Sequence, residues 1–251
     1  FGRQASARGG DGGPFYQAAV QDLDEAMKRG APAAEALVAR GMAQSNLASV
    51  RRRRGERVDD LYRAAIEDFT RATVAAPDDE APWKFLGVAT SYLGNVRADR
   101  GEDPSDDHLA AIGHFGEALR RNPSADRSWL FRAQARVALG VSRLERGQDA
   151  TGVFREALKD LDEAKRRQEI RPETWSERGG LLALMGSGAA ARGEPFETWF
   201  EEAVKETSRA IALASGSDEP WVARGGARVD WGKARSDRGL DPTAQFEAAI
   251  E

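Results

Sequence analysis

The stretch Trp83-Lys84-Phe85-Leu86-Gly87 returns as Trp129-Leu130-Phe131-Arg132-Ala133, as Trp175-Ser176-Glu177-Arg178-Gly179 and as Trp221-Val222-Ala223-Arg224-Gly225. Each tryptophan stands 46 residues from the next, and one interval earlier the same place holds Leu37, with Gly41 four residues on. A fixed period in the range of roughly 20 to 50 residues marks an array whose units bury apolar surface only against their neighbours. The spacing therefore predicts one continuous stack of repeats.

Working outward from each rung, a first helix is predicted to run through a small residue eleven positions on: Ala48, Gly94, Gly140, Gly186 or Gly232. It stops at an Arg-Gly pair, namely Arg54-Gly55, Arg100-Gly101, Arg146-Gly147, Arg192-Gly193 or Arg238-Gly239, with Arg8-Gly9 near the start of the chain. A cation in the last turn followed by glycine is the expected helix end, because glycine takes the left-handed cap and the charge faces the negative pole of the macrodipole. A polar loop follows, in which the column Asp59, Ser105, Thr151, Glu197 and Thr243 is expected to supply a cap for the second helix in four of its five places, Glu197 being the exception.

That second helix opens on Tyr16, Tyr62, His108, Phe154, Phe200 or Phe246. It continues through Ala19, Ala65, Ala111, Ala157, Ala203 and Ala249, then Leu23, Phe69, Phe115, Leu161 and Thr207, then Ala26, Ala72, Ala118, Ala164 and Ala210. Steps of three and four residues place these rows on one helix face. Pro77 and Pro123 close two of the units. If the two helices run antiparallel, Gly87 comes level with Ala118 and Gly94 with Ala111, small against small.

At these residues the sequence resembles the tetratricopeptide repeat (TPR) family. The family's tryptophan, leucine and glycine are matched by Trp83, Leu86 and Gly87, and its second-helix pattern by Ala111, Phe115, Ala118 and Pro123. The first unit keeps Ala65, Phe69, Ala72 and Pro77. Three departures stand out: the 46-residue period in place of roughly 34, Arg40, Arg132, Arg178 and Arg224 at the usual leucine, and Glu169 and Ser215 at the closing proline. HEAT-type repeats have a period of about 40 to 47 residues but do not explain the alanine, aromatic, alanine, proline spacing. The resemblance implies an all-α, right-handed solenoid of stacked antiparallel hairpins, with helices lengthened at the loop end.

Of the 251 residues 31% are charged, with a net charge of -4, so no whole-chain excess points to nucleic acid or an anionic membrane. The absence of cysteine removes disulfides, thiolate metal sites and cysteine nucleophiles together. No apolar run approaches the roughly 20 residues of a membrane span, and no signal peptide is visible, so the expected location is the cytoplasm. Phe1-Gly2 falls in register with Leu93-Gly94, and Ala248-Ala249-Ile250 matches Ala64-Ala65-Ile66. The chain is therefore expected to be a segment of a longer protein. It divides into a partial repeat 1–36, repeats 37–82, 83–128, 129–174 and 175–220, and a partial repeat 221–251.

No nucleophile, metal or phosphate motif emerges, and no cofactor is expected. The glycines recur at helix ends and crossings, a structural role. Glu102, Asp103, Asp106 and Asp107 with His108 read as a solvated loop at the positive end of a helix. Arg51 to Arg54 read as a solvated helix end. His114 stands in a row otherwise filled by Asp22, Asp68, Asp160 and Glu206, and the same unit has Leu86 where the others have arginine. The joint loss points to an Arg-carboxylate bridge, although the two rows lie about six residues out of level.

What remains is recognition. In TPR proteins the first helices line the binding groove, and the resemblance puts Lys84, Phe85, Val88, Ser91 and Tyr92 there, followed by Leu130, Phe131, Gln134 and Val137. Phe85 and Phe131, flanked by Lys84 and Arg127, either anchor a peptide or partner helix or pack between units. Val88 occupies the asparagine position of the family's carboxylate clamp, which argues against chaperone-tail binding. The expectation is a non-catalytic protein-binding scaffold. The alternatives are the regulatory arm of a larger enzyme, such as a bacterial signalling kinase, and self-assembly through exposed ends.

Overall fold

The computed structural model describes residues 12–30, 33–214 and 216–250. The early Phe1-Gly2 and Arg8-Gly9 positions lie outside the described residues. Among those described the chain is all helical, without a strand: α1 (Gly13–Lys28), α2 (Ala33–Arg53), α3 (Asp59–Ala75), α4 (Glu80–Ala98), α5 (Ser105–Arg121), α6 (Asp126–Glu145), α7 (Thr151–Arg167), α8 (Pro172–Ala191), α9 (Glu197–Leu213), α10 (Glu219–Asp237) and α11 (Thr243–Ile250). Two compact units result. One reaches Ser124 and takes in Val141–Gly147; the other comprises Ala125–Gly140 and the chain from Gln148 onward.

The expected hairpins are present in both units. Position 87 faces Phe115 while position 94, seven residues on, faces His108, seven residues back, so α4 and α5 run antiparallel. Positions 179 and 186 face Thr207 and Phe200 in the same way, for α8 and α9. The alanine rows are sealed in the inner repeats, with Ala65, Ala72, Ala111, Ala118, Ala157, Ala203 and Ala210 all at 0% exposure, and half-buried at Ala19, Ala26 and Ala249.

The Arg-Gly helix ends take the expected form. Gly55, Gly101, Gly147, Gly193 and Gly239 have φ between 69° and 78°, a region that penalises any side chain. The Gly55 N–H donates to the Arg52 carbonyl at 2.9 Å and the Glu56 N–H to the Arg51 carbonyl at 3.1 Å, closing a Schellman motif. The arginines do more than face the dipole. Arg100 reaches back to pair with Asp59, the Arg146 guanidinium donates to the Glu102 carbonyl at 3.2 Å, and that of Arg238 to the Ala190 carbonyl at 3.3 Å. Each spans from one hairpin to the preceding one.

Two expectations about register are corrected. Asp59, Ser105, Thr151, Glu197 and Thr243 are the first residues of their helices, not caps. In three loops the cap is an aspartate two residues earlier: Asp103, Asp149 and Asp241 accept from the N–H of Ser105, Thr151 and Thr243, each at 3.0 Å. Gly87 and Gly94, moreover, do not meet Ala118 and Ala111. A Cβ on Gly87 would sit 2.7 Å from Phe115, and one on Gly186 would sit 2.9 Å from Phe200. Gly41 faces Phe69 likewise, and Gly140 and Gly232 face Phe154 and Phe246. Each hairpin is closed by a ring seated on bare backbone, which lets large side chains lie between close helices.

This seating predicts opposite outcomes for one substitution at two glycines. Gly87→Ala overfills the Phe115 seat and is expected to destabilise by about 1–2 kcal/mol, the overpacking cost exceeding the gain in helix propensity. At Gly113, where a Cβ meets nothing within 4 Å, Gly113→Ala is expected to stabilise by about 0.5–1 kcal/mol. Urea unfolding of the two variants checks both signs.

Candidate functional site

The arginine row set against the acid row forms the bridges that their joint loss in one unit implied. Arg40 donates to both oxygens of Asp68, at 2.7 and 2.6 Å, and Arg132 to both oxygens of Asp160, at 2.9 and 2.6 Å. Arg178 lies 3.1 Å from Glu206. Asp68, Asp160 and Glu206 are buried, and Arg136 adds a second cation on Asp160. Arginine spans the register offset because its guanidinium sits at the end of a long stem. Asp68 foremost, with Asp24, holds the Arg40 guanidinium above its ordinary range. Arg224 differs: it donates to the Ser208 hydroxyl at 3.3 Å, and burial with Arg228 nearby pulls it below its ordinary range.

Each of the four rung indoles is faced by a cation. Arg121 lies 4.6 Å over Trp83, Arg132 and Arg167 lie 4.7 and 5.0 Å from Trp129, Lys165 lies 4.1 Å over Trp175, and Arg224 lies 4.6 Å over Trp221. Trp83, Trp129 and Trp175 are half-buried and Trp221 is exposed, and a ring faced by a cation is an attractive pair. Together with the bridges they tie one face of the first helices to second helices, to their own through Arg40 with Asp68, Arg132 with Asp160 and Arg178 with Glu206, and to the preceding one through Lys165 with Trp175 and Arg178 with Asp162.

The opposite, outer face carries the positions expected to bind. Lys84, Phe85, Val88 and Tyr92 fall in the first unit and Arg127, Phe131 and Gln134 in the second. Phe85 stacks on Phe69 with ring centroids 5.7 Å apart and planes at 23°, so it packs between hairpins. Lys84 pairs with Glu80 at 3.1 Å and lies 5.1 Å over the Phe85 ring. Val88 is half-buried, and Tyr92 is exposed beside Tyr62. Arg127 is exposed and Phe131 half-buried, while the Gln134 amide donates to Glu177 Oε1 at 2.6 Å. Comparison of rows could not find this last pair, because it occurs in one repeat only.

No family model matches the sequence and no curated protein was found to match it. Solved structures do. MamA aligns over 86% of this chain and 95% of its own, with a TM-score of 0.52 and 15% identity. A thermophilic TPR protein of Thermus thermophilus aligns over 84% and 98%, with a TM-score of 0.51 and 20% identity. The fold is that of the TPR-type repeat proteins.

Of the acids near His108, Asp103 caps α5, and Glu102 and Asp107 bind Arg97 at 3.0 and 2.8 Å. Among the described residues no group of three or more His, Asp or Glu side chains stands ready to hold a metal ion, and no helix is long and apolar enough to cross a membrane.

The two histidines give the TPR-type hairpin of α4 and α5 a pH signature. Burial lowers the pKa of both His108 and His114, with Asp107 opposing at His108, and His108 Nδ1 is buried without a hydrogen-bond partner. The unfolded imidazoles titrate near ~6.5, so as pH falls below that value the unfolded chain takes up more protons than the folded one. Their contribution to stability is present above that pH and is lost as pH falls through the lowered folded values. His108→Phe, the residue that the same row holds at Phe154 and Phe200, is expected to reduce the loss between pH 7.5 and 5.5. Urea midpoints of the two proteins at both pH values measure it.

Proposed function

We propose that the chain is a non-catalytic interaction scaffold that holds an extended peptide or a partner helix on the outer face of its first helices. We take its repeats as 37–82, 83–128, 129–174 and 175–220, with partial repeats at either end. The observation that carries this reading is a contrast between rows. Those that close the hairpins repeat from unit to unit, whereas the outer rows do not: Ala39, Phe85, Phe131, Glu177 and Ala223 in one, and Met42, Val88, Gln134, Gly180 and Gly226 in the next. Packing constrains the first set to be alike, and recognition of one partner explains an outer face whose residues change along the array, from Phe85 and Phe131 to Glu177 and from Gln134 to Gly180 and Gly226.

The test is set in the second unit. Phe85 stacks on Phe69, and Phe131 and Gln134 are half-buried, so stability is followed beside binding for each variant. Peptides enriched on the chain from a display library are expected to bind Phe131→Ala/Gln134→Ala at least about tenfold more weakly, a change of about 1.4 kcal/mol. Fluorescence anisotropy gives the affinity, and circular dichroism the helical content, which should stay unchanged. Undiminished binding places the site elsewhere, and a library that yields no binder overturns the reading.

A further inference from the structure

On the outer face of α8 and α10 stand an acid and two glycines that the fold does not employ. Glu177 is half-buried and takes one hydrogen bond, from Gln134. The charge that bears on it is that of a second acid, Glu219, and among the described residues no cation is paired with it. This sets it apart from the hairpin carboxylates Asp68, Asp160 and Glu206, each of which meets an arginine. A carboxylate withdrawn from water without a countercharge is incomplete by itself.

Three residues beyond Glu177, Gly180 is exposed, and Gly226 holds the equivalent place on α10; a Cβ at either meets nothing within 4 Å. The glycines next to them in the same helices are different. Gly179 seats Thr207 and Gly186 seats Phe200. Met42, Val88 and Gln134 fill the same row in other repeats, so the fold accepts a side chain there. Bare backbone on an open helix face admits the close approach of another backbone.

We infer that this face of the second unit receives an extended peptide segment carrying a lysine or arginine, whose cation pairs with Glu177 and Glu219 while its backbone runs over Gly180 and Gly226. The inference rests on the peptide-binding reading above and names its ligand. The complementarity is of charge and shape together: a half-buried carboxylate without a paired cation calls for a charge-assisted donor, and the glycines leave room for the chain that bears it.

The test uses the full chain and labelled octapeptide mixtures whose fixed central residue is lysine, arginine, norleucine or glutamate, measured by anisotropy at low ionic strength. The lysine and arginine mixtures are expected to bind about tenfold more tightly than norleucine, and the glutamate mixture least of all. Glu177→Gln should abolish that preference. Gly180→Ala/Gly226→Ala should weaken binding about tenfold while the melting temperature holds or rises, since alanine favours a helix. A binding loss without a fall in stability separates a ligand role from a structural one. Equal binding of the lysine and norleucine mixtures, or an undiminished preference in Glu177→Gln, overturns this inference alone. Binding of none of the mixtures overturns the peptide-binding reading with it.

Discussion

Asp160→Ala is expected to destabilise the second unit by about 3 kcal/mol, near the lower end of what the loss of one partner of a buried bridge costs. Asp160 is 2% exposed and accepts from Arg132 twice and from Arg136 once, so its removal strands two guanidinium groups that are themselves only 17% exposed. The same chain shows how the site is built without charge: the second repeat has Leu86, Thr90 and His114 in the places of Arg132, Arg136 and Asp160. Moving that set in, as Arg132→Leu/Arg136→Thr/Asp160→His, should recover at least half of the loss, because no buried charge is then left without a partner. Five of the six tryptophans lie in the second unit, so urea unfolding followed by indole fluorescence reports mainly on it. A cost for Asp160→Ala below about 1 kcal/mol would reduce the bridge to the level of a surface ion pair.

Phe200→Ala should cost about as much or more, in the range of about 3–5 kcal/mol for deleting a buried ring. Phe200 has 0% exposure, stacks on Trp231 with centroids 6.0 Å apart and planes at 6°, and meets Phe196 edge to face at 6.2 Å. Its seat is the bare backbone of Gly186, which has no side chain to move into the void. Phe200→Leu, which refills part of the volume, should recover more than half of the loss in the same measurement. Equal losses for the two variants would mean that the ring is not held between Gly186 and Trp231.

Much of this was legible in the sequence, and what was not has a physical cause. The hairpins and their glycine ends followed from residues that recur at fixed places, since a local signal such as Arg-Gly needs no knowledge of the partner helix. The bridges were legible only through the repeat that lacks them, where Leu86 and His114 replace the pair together. The objection drawn from register failed because arginine reaches along the helix axis. Register itself was the weak point. How far two antiparallel helices slide depends on the loop between them, and a shift of three residues sends Gly87 to Phe115 instead of Ala118. The capping aspartates Asp103, Asp149 and Asp241 were visible, but the row two residues later competed for the same role. The link from Gln134 to Glu177 occurs once, so a method that compares copies had nothing to compare.

The outer face was read less fully. Phe85 and Phe131 share a row and both are half-buried, Phe85 against Phe69, while the first repeat has Ala39 there. Sequence places a residue on a face; whether a neighbouring hairpin covers that face depends on how hairpins stack.

In the proposed scaffold one face of the first helices builds the fold and the other recognises the partner. A single anisotropy titration of a display-selected peptide against two variants tests this most directly. Phe131→Ala/Gln134→Gly gives the third repeat the outer residues of the fifth, Ala223 and Gly226, and is expected to lose binding about tenfold or more. Arg132→Leu/Arg136→Thr/Asp160→His changes only the hairpin side and is expected to bind like the parent. Binding lost in the hairpin variant and kept in the outer-face variant would contradict the assignment of the two faces.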